Sequence, residues 1–169
     1  MKFFIKSDKF IGFFKNPSQI QIGDIIYADA LKYSDKELKN FIGYSYADYF
    51  VVASDKIAEN TFKVKATSQR VLEFDGEGVI TVSGTSEQIL TLDKSGVITD
   101  SKVLKNNLAI TGGTGKFVNT TGKYDIETIE NMTHVGKIYF NDQEDVMIIL
   151  HIIILIVFIF LFIFAFYKK

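Results

Sequence analysis

No cysteine occurs among the 169 residues, which excludes disulfides and cysteine-based zinc sites. Neither charge is in excess: 19 Lys and Arg stand against 20 Asp and Glu, a net charge of −1. Nucleic-acid binders carry a basic patch or stripe, and nothing here points to one, so nucleic acid is excluded as a partner. Histidine is scarce, with two in the chain; of these only His134 lies outside the hydrophobic tail. A metal site needs several converging ligands. None cluster with His134 in sequence, so neither a metal nor a cofactor is expected, and His134 reads as a strand-edge surface residue. No Ser-His-Asp or Cys-His arrangement can be argued. Internal repeats, long linkers and long amphipathic helices are also missing.

Two unlike parts remain. Over residues 1–145 apolar residues recur at period two. Phe62, Val64 and Ala66 alternate with Lys63, Lys65 and Thr67, and Tyr124 and Ile126 alternate with Asp125 and Glu127. Such alternation means strands with one buried face and one wetted face. Turn signals separate them at Asn16-Pro17, Asp75-Gly76, Lys94-Ser95-Gly96, Asn106-Asn107 and Gly112-Gly113. The pattern predicts about eight strands, near 2–7, 22–29, 41–53, 61–73, 79–87, 88–92, 108–111 with 122–129, and 136–141. Many short strands without intervening helices imply a sandwich or barrel.

Residues 146–169 form the second part. Met147–Tyr167 reads MIILHIIILIVFIFLFIFAFY, with His151 its one clearly polar side chain. As a helix it would span roughly the 30 Å hydrocarbon layer of a bilayer, so a C-terminal transmembrane helix is expected, making the membrane a partner through residues 147–167. The N-terminal MKFFIKSDKFIGFFKN is no secretory signal, because Lys6, Asp8 and Lys9 interrupt any apolar core. That predicts a single-pass tail anchor with the globular part cytosolic; Lys168 and Lys169 beyond the span pull weakly the other way. The Ile, Phe, Leu and Val content is also what an A/T-rich stretch outside a gene would encode.

Four blocks in order, Lys15-Asn-Pro17 with Ile22-Gly-Asp-Ile-Ile26, Phe41-Ile-Gly-Tyr-Ser-Tyr46, Asp75-Gly-Glu-Gly-Val-Ile-Thr-Val-Ser-Gly84 and Leu108-Ala-Ile-Thr-Gly-Gly-Thr-Gly-Lys-Phe117 with Gly122, resemble the barrel shared by allene oxide cyclases and dirigent proteins. The resemblance covers roughly residues 15–140. It implies an all-β fold, a single eight-stranded antiparallel β-barrel over 1–145, with the hydrophobic transmembrane helix appended. The last block is not a phosphate loop: Ile110 and Phe117 occupy positions where a Walker pattern needs Gly and Ser or Thr.

An eight-stranded barrel is wide enough to fill with side chains or to hold one small ligand. Tyr27, Tyr46, Phe50 and Phe62, with Tyr44 and Tyr49, are candidates for an aromatic lumen taking a small hydrophobic ligand, lipid-like or phenolic. Filling the core is the plainer role for any one of them. The resemblance implies cyclisation of an oxidised fatty acid or guided coupling of phenolics. The cyclase residues transfer poorly, with Phe4 or Ile5 where a glutamate is expected and Phe50 in place of a cysteine. Asp29 is left as the candidate acid–base group. A third reading is a structural or oligomerisation module, dimeric or trimeric, with a packed lumen.

Overall fold

The computed structural model describes residues 1–130, 132–141, 154 and 156. Eight strands run in chain order: β1 Lys2–Phe13, β2 Ile25–Tyr33, β3 Phe41–Ala58, β4 Thr61–Phe74, β5 Gly78–Leu92, β6 Ile98–Gly113, β7 Gly122–Glu130 and β8 Thr133–Phe140. Each pairs antiparallel with the next, and β8 returns to β1 through pairs such as Phe4 with Val135, so a single sheet closes into a barrel-like ring. The eight antiparallel strands and all-β class expected from the alternation are present. No helix among the described residues is long and apolar enough to cross a membrane; the span expected over 147–167 lies outside the described residues, apart from 154 and 156.

Strand β4 shows why the ring forms. Phe62, Val64, Ala66, Ser68, Arg70, Leu72 and Phe74 are all buried, while every residue between them is exposed. A period-two strand can present one set inward only if its register is kept, and β4 keeps it with β5 over fourteen pairs without a shift. The inward side chains make two apolar clusters. One end of the ring holds Phe3, Leu72, Phe74, Ile80, Phe117, Tyr124 and Ile138. The other holds Ile26, Val51, Phe62, Val64, Leu90 and Ile98. At the first end Phe3 meets Phe74 edge-on at 5.5 Å and stacks on Tyr124 at 6.1 Å. Burying each such side chain contributes roughly 1.5–3 kcal/mol.

Two expected boundaries are corrected. The segments 79–87 and 88–92 are one strand, β5, and β6 begins at Ile98 rather than Leu108. The Asn106-Asn107 pair read as a turn lies within β6. Gly122 relieves crowding where β7 meets β8: its φ is +148°, and a Cβ there would stand 2.0 Å from the backbone oxygen of Tyr139. Gly122→Ala is expected to cost about 2 kcal/mol from the backbone conformation alone, read as a lowered urea midpoint; an unchanged midpoint would contradict it.

Candidate functional site

Between the two apolar clusters the inward residues turn polar. Ser45, Arg70, Gln88, Ser101 and His134 are buried around one cavity, and Ser68 and Ser86 are buried on the same strands as Arg70 and Gln88. Beside them β2 and β3 present the small side chains Ala28, Ala30 and Ala47, with Tyr49 the one large residue these two strands add to the wall. Small residues facing long ones leave a cavity of about 10 Å³, roughly the room of a single water.

The ring is weakest beside this belt. β8 pairs with β1 only over Lys2–Lys6, and β7 pairs with β6 only at Leu108 and Ala109. The tip of the β7–β8 hairpin is instead tied by single bonds. Ser7 N–H donates to the Met132 carbonyl at 2.9 Å. Val103 N–H donates to Thr128 Oγ1 at 2.8 Å, and Asn106 Nδ2 donates to the Ile126 carbonyl at 2.8 Å. Below the tip the lower halves of β1 and β6 approach each other without a ladder. Ser7, Phe10, Ser101 and Val103 from these strands line the cavity, so this seam is its side approach.

Arg70 dominates the electrostatics. It is the chain's single arginine and is 6% exposed. Nη2 donates to Tyr49 Oη, and the rings of Tyr49 and Tyr124 flank the guanidinium at 5.9 and 5.7 Å. Its Nε has no partner, nor have Gln88 Nε2, Ser68 Oγ and Ser86 Oγ. Gln88 Oε1 accepts from Ser101 Oγ at 3.3 Å. Among the described residues the only buried carboxylate is Asp24, and it accepts the N–H groups of Lys15 and Gln21 in the β1–β2 connection. An isolated buried charge is costly, so this guanidinium is under-compensated.

His134 sits in the same belt, 3% exposed and within 3.1 Å of Thr128 Oγ1. This corrects the strand-edge surface reading: Thr133, His134 and Val135 are all buried where β8 crosses the seam. Burial, followed by the charges of Arg70 and Lys6, lowers its pKa to about 4, so the ring is neutral at pH 7. Burial pushes the Tyr124 hydroxyl up to about 12 despite the nearby Arg70, leaving it a neutral hydrogen-bond donor. Lys32, fully buried in the first cluster, lies over the Phe74 ring at 3.3 Å with no hydrogen-bond partner for Nζ.

The residues proposed from sequence divide by side of the sheet. Phe62 faces the lumen at 2% exposure, as does Tyr49. Tyr27, Tyr46 and Phe50 point outward, which corrects their expected place in the lumen. They are out of phase by one residue with Ala28, Ala47 and Tyr49, which face in. On the outside Tyr27 and Phe50 line a groove of about 420 Å³ with Asp48, Gln69 and Ser83. Tyr46 lines an adjoining groove of about 350 Å³ that shares those three. Asp29 is exposed on the outer face, between Lys9 and Tyr46 in the ladders, and has no part in the lumen. Arg70, Gln88 and Tyr124 were missed. The signal for Arg70 was its inward phase on β4, three alternations after Val64.

Among the described residues no cluster of His, Cys, Asp or Glu is arranged to hold a metal ion. No protein-family model matches the chain, and no curated protein matches its sequence. Among solved structures the fold is similar to that of pyocyanin demethylase, with a TM-score of 0.56 at 19% identity over 82% of this chain and 98% of that one.

Proposed function

We propose that this protein is a small-molecule-binding β-barrel whose site is the polar belt in mid-lumen, reached through the seam between β1 and β6. The carrying observation is a pair of buried donors without partners, Arg70 Nε and Gln88 Nε2, both on the wall of the cavity rather than packed against acceptors. Buried polar groups are nearly always satisfied, and unsatisfied groups gathered at one place mark a site that something else completes. The ligand is small and amphipathic. Its polar end enters the belt, and its apolar body lies against Phe10, Val103 and Ile126, which also line the cavity. The fold class hosts an enzyme in pyocyanin demethylase; for this chain the proposal is binding, with no catalytic group assigned.

Ala47 lines the cavity on the small-residue side, so Ala47→Leu fills it. In a panel of small aromatic and aliphatic amphiphiles, those that bind raise the thermal midpoint of the natural protein. The gain is about 2.7 kcal/mol at a hundredfold excess over Kd, and Ala47→Leu abolishes the response. A panel in which nothing stabilises the natural protein would overturn the proposal.

The allene oxide cyclase and dirigent kinship belongs to the same proposal and is supported by the four glycine-bearing blocks. Cyclisation of an oxidised fatty acid loses its proposed acid–base group, because Asp29 lies outside the ring. Membrane tethering through 147–167 is supported by that run's composition alone; flotation of the full chain with lipid vesicles tests it, and recovery only in the dense fraction would contradict it. A second reading, a packed module that self-associates as a dimer or trimer, is favoured by one observation. Tyr27, Phe41, Tyr44, Tyr46 and Phe50 leave 38–48% of their surface exposed on one outer face. Sedimentation equilibrium at monomer mass would remove it.

A further inference from the structure

Resting on the reading of the belt as a binding site, we infer that its ligand is a small organic anion, held by its carboxylate on Arg70. The two partnerless groups on the cavity wall, Arg70 Nε and Gln88 Nε2, are both pure donors. A cationic or donor-rich ligand would leave them unsatisfied and add like charge. A carboxylate supplies acceptors only, with lone pairs for several donors. It also neutralises the one guanidinium that no acidic side chain approaches among the described residues. Arginine does not lose its proton in proteins, so a counter-charge is the available route to compensation.

The rest of the wall fits that assignment. Tyr49 Oη already accepts from Nη2 and fixes the guanidinium plane, and the two tyrosine rings hold it from the sides. Nε is then left for the incoming group. Neutral His134 adds no competing positive charge. The cavity's room of about 10 Å³ takes a single carboxylate oxygen in the place of one water, so the rest of the acid extends into the seam towards Phe10 and Val103. Charge-assisted hydrogen bonds to a carboxylate are about twice as strong as neutral ones, which sets selectivity for acids over their amides.

Because Arg70 is the only arginine in the chain, its Nε–H gives a single arginine side-chain resonance. The full-length protein is titrated at pH 7 with formate, acetate and benzoate, and in parallel with formamide, acetamide and benzamide. The expected result is a saturable displacement of the Nε–H resonance by at least one acid, with the matching amide at least tenfold weaker. In Arg70→Gln the thermal stabilisation by that acid is lost, and in Arg70→Lys part of it returns. Amides that bind as tightly as acids in the belt would overturn the anion assignment while leaving the binding site in place. If no acid and no amide moves Nε–H, both the anion assignment and the belt as a site fall. The Nε–H readout needs no variant, so a misfolded Arg70→Gln does not rescue the inference.

Discussion

Lys32→Met is expected to stabilise the protein by about 3 kcal/mol at pH 6.5 and by close to nothing above pH 10.5. Burial lowers the Lys32 pKa from 10.5 to about 7, an effect that Glu73 and Glu77 only partly oppose. The unfolded chain therefore binds the proton more tightly than the folded one. Below pH 7 both states hold it, and the folded state bears the full cost of about 3.5 pKa units, about 5 kcal/mol at 1.36 kcal/mol each. Attraction of the ammonium to the ring faces of Phe74 and Phe3, at 3.3 and 5.5 Å, returns about 1–2 kcal/mol. Between pH 7 and 10.5 the cost fades as the amine is neutral in the fold. Methionine keeps the length and removes the charge. Urea denaturation of both proteins at pH 6.5 and 10.5 checks the result. A destabilised variant, or a difference independent of pH, would show that the ammonium is compensated.

His134→Asn addresses the opposite end of the pH scale. In the fold the imidazole pKa is about 4 instead of 6.5, through burial first and the cations Arg70 and Lys6 second. At pH 7 both states are neutral and no cost arises. As pH falls from 6.5 towards 4 the unfolded chain takes up a proton that the folded chain refuses, so stability drops. The loss is about 3 kcal/mol across that window and stops growing below pH 4. Asparagine has no such titration. The stability difference between natural protein and variant is therefore expected to shift by about 3 kcal/mol against the natural protein between pH 7 and pH 4. A constant difference would place the ring in contact with water. The two substitutions lie at different levels of the lumen, so their effects are expected to add.

The ring was legible where the lumen is apolar. On β4 the alternation of Phe62, Val64 and Ala66 with lysines gave the strand, its inward face and Phe62 as a core residue. Where the lumen turns polar the reading failed, and for the same reason in each case. Ser86 and Gln88 face inward on β5, so the strand was divided in two between Glu87 and Gln88. Ser101 faces inward on β6, and two register shifts against β5, at Glu87/Gln88 and Thr91/Leu92, put the apolar residues out of phase. The first half of β6 consequently went without a strand assignment. Tyr27, Tyr46 and Phe50 misled in the other direction: aromatic residues were given to the lumen by type, although their phase relative to Ala28, Ala47 and Tyr49 puts them outside. Small inward residues were the better sign of a site, because they are what leaves space. His134 could not be placed from sequence, since its burial depends on how the β7–β8 hairpin tip fills the seam. The strands that hid from the alternation are those that build the belt, which is where function and folding make different demands on the same positions.

A two-dimensional amide spectrum of the full chain, titrated in turn with formate, acetate, benzoate and their amides, tests most directly whether the belt is the binding site. Saturable shifts are expected at Ser45, Ala47, Arg70, Gln88, Ser101 and His134, with Tyr27, Tyr46 and Phe50 unmoved. Shifts gathered on those three outer aromatics, or none that saturate, would contradict a site inside the ring.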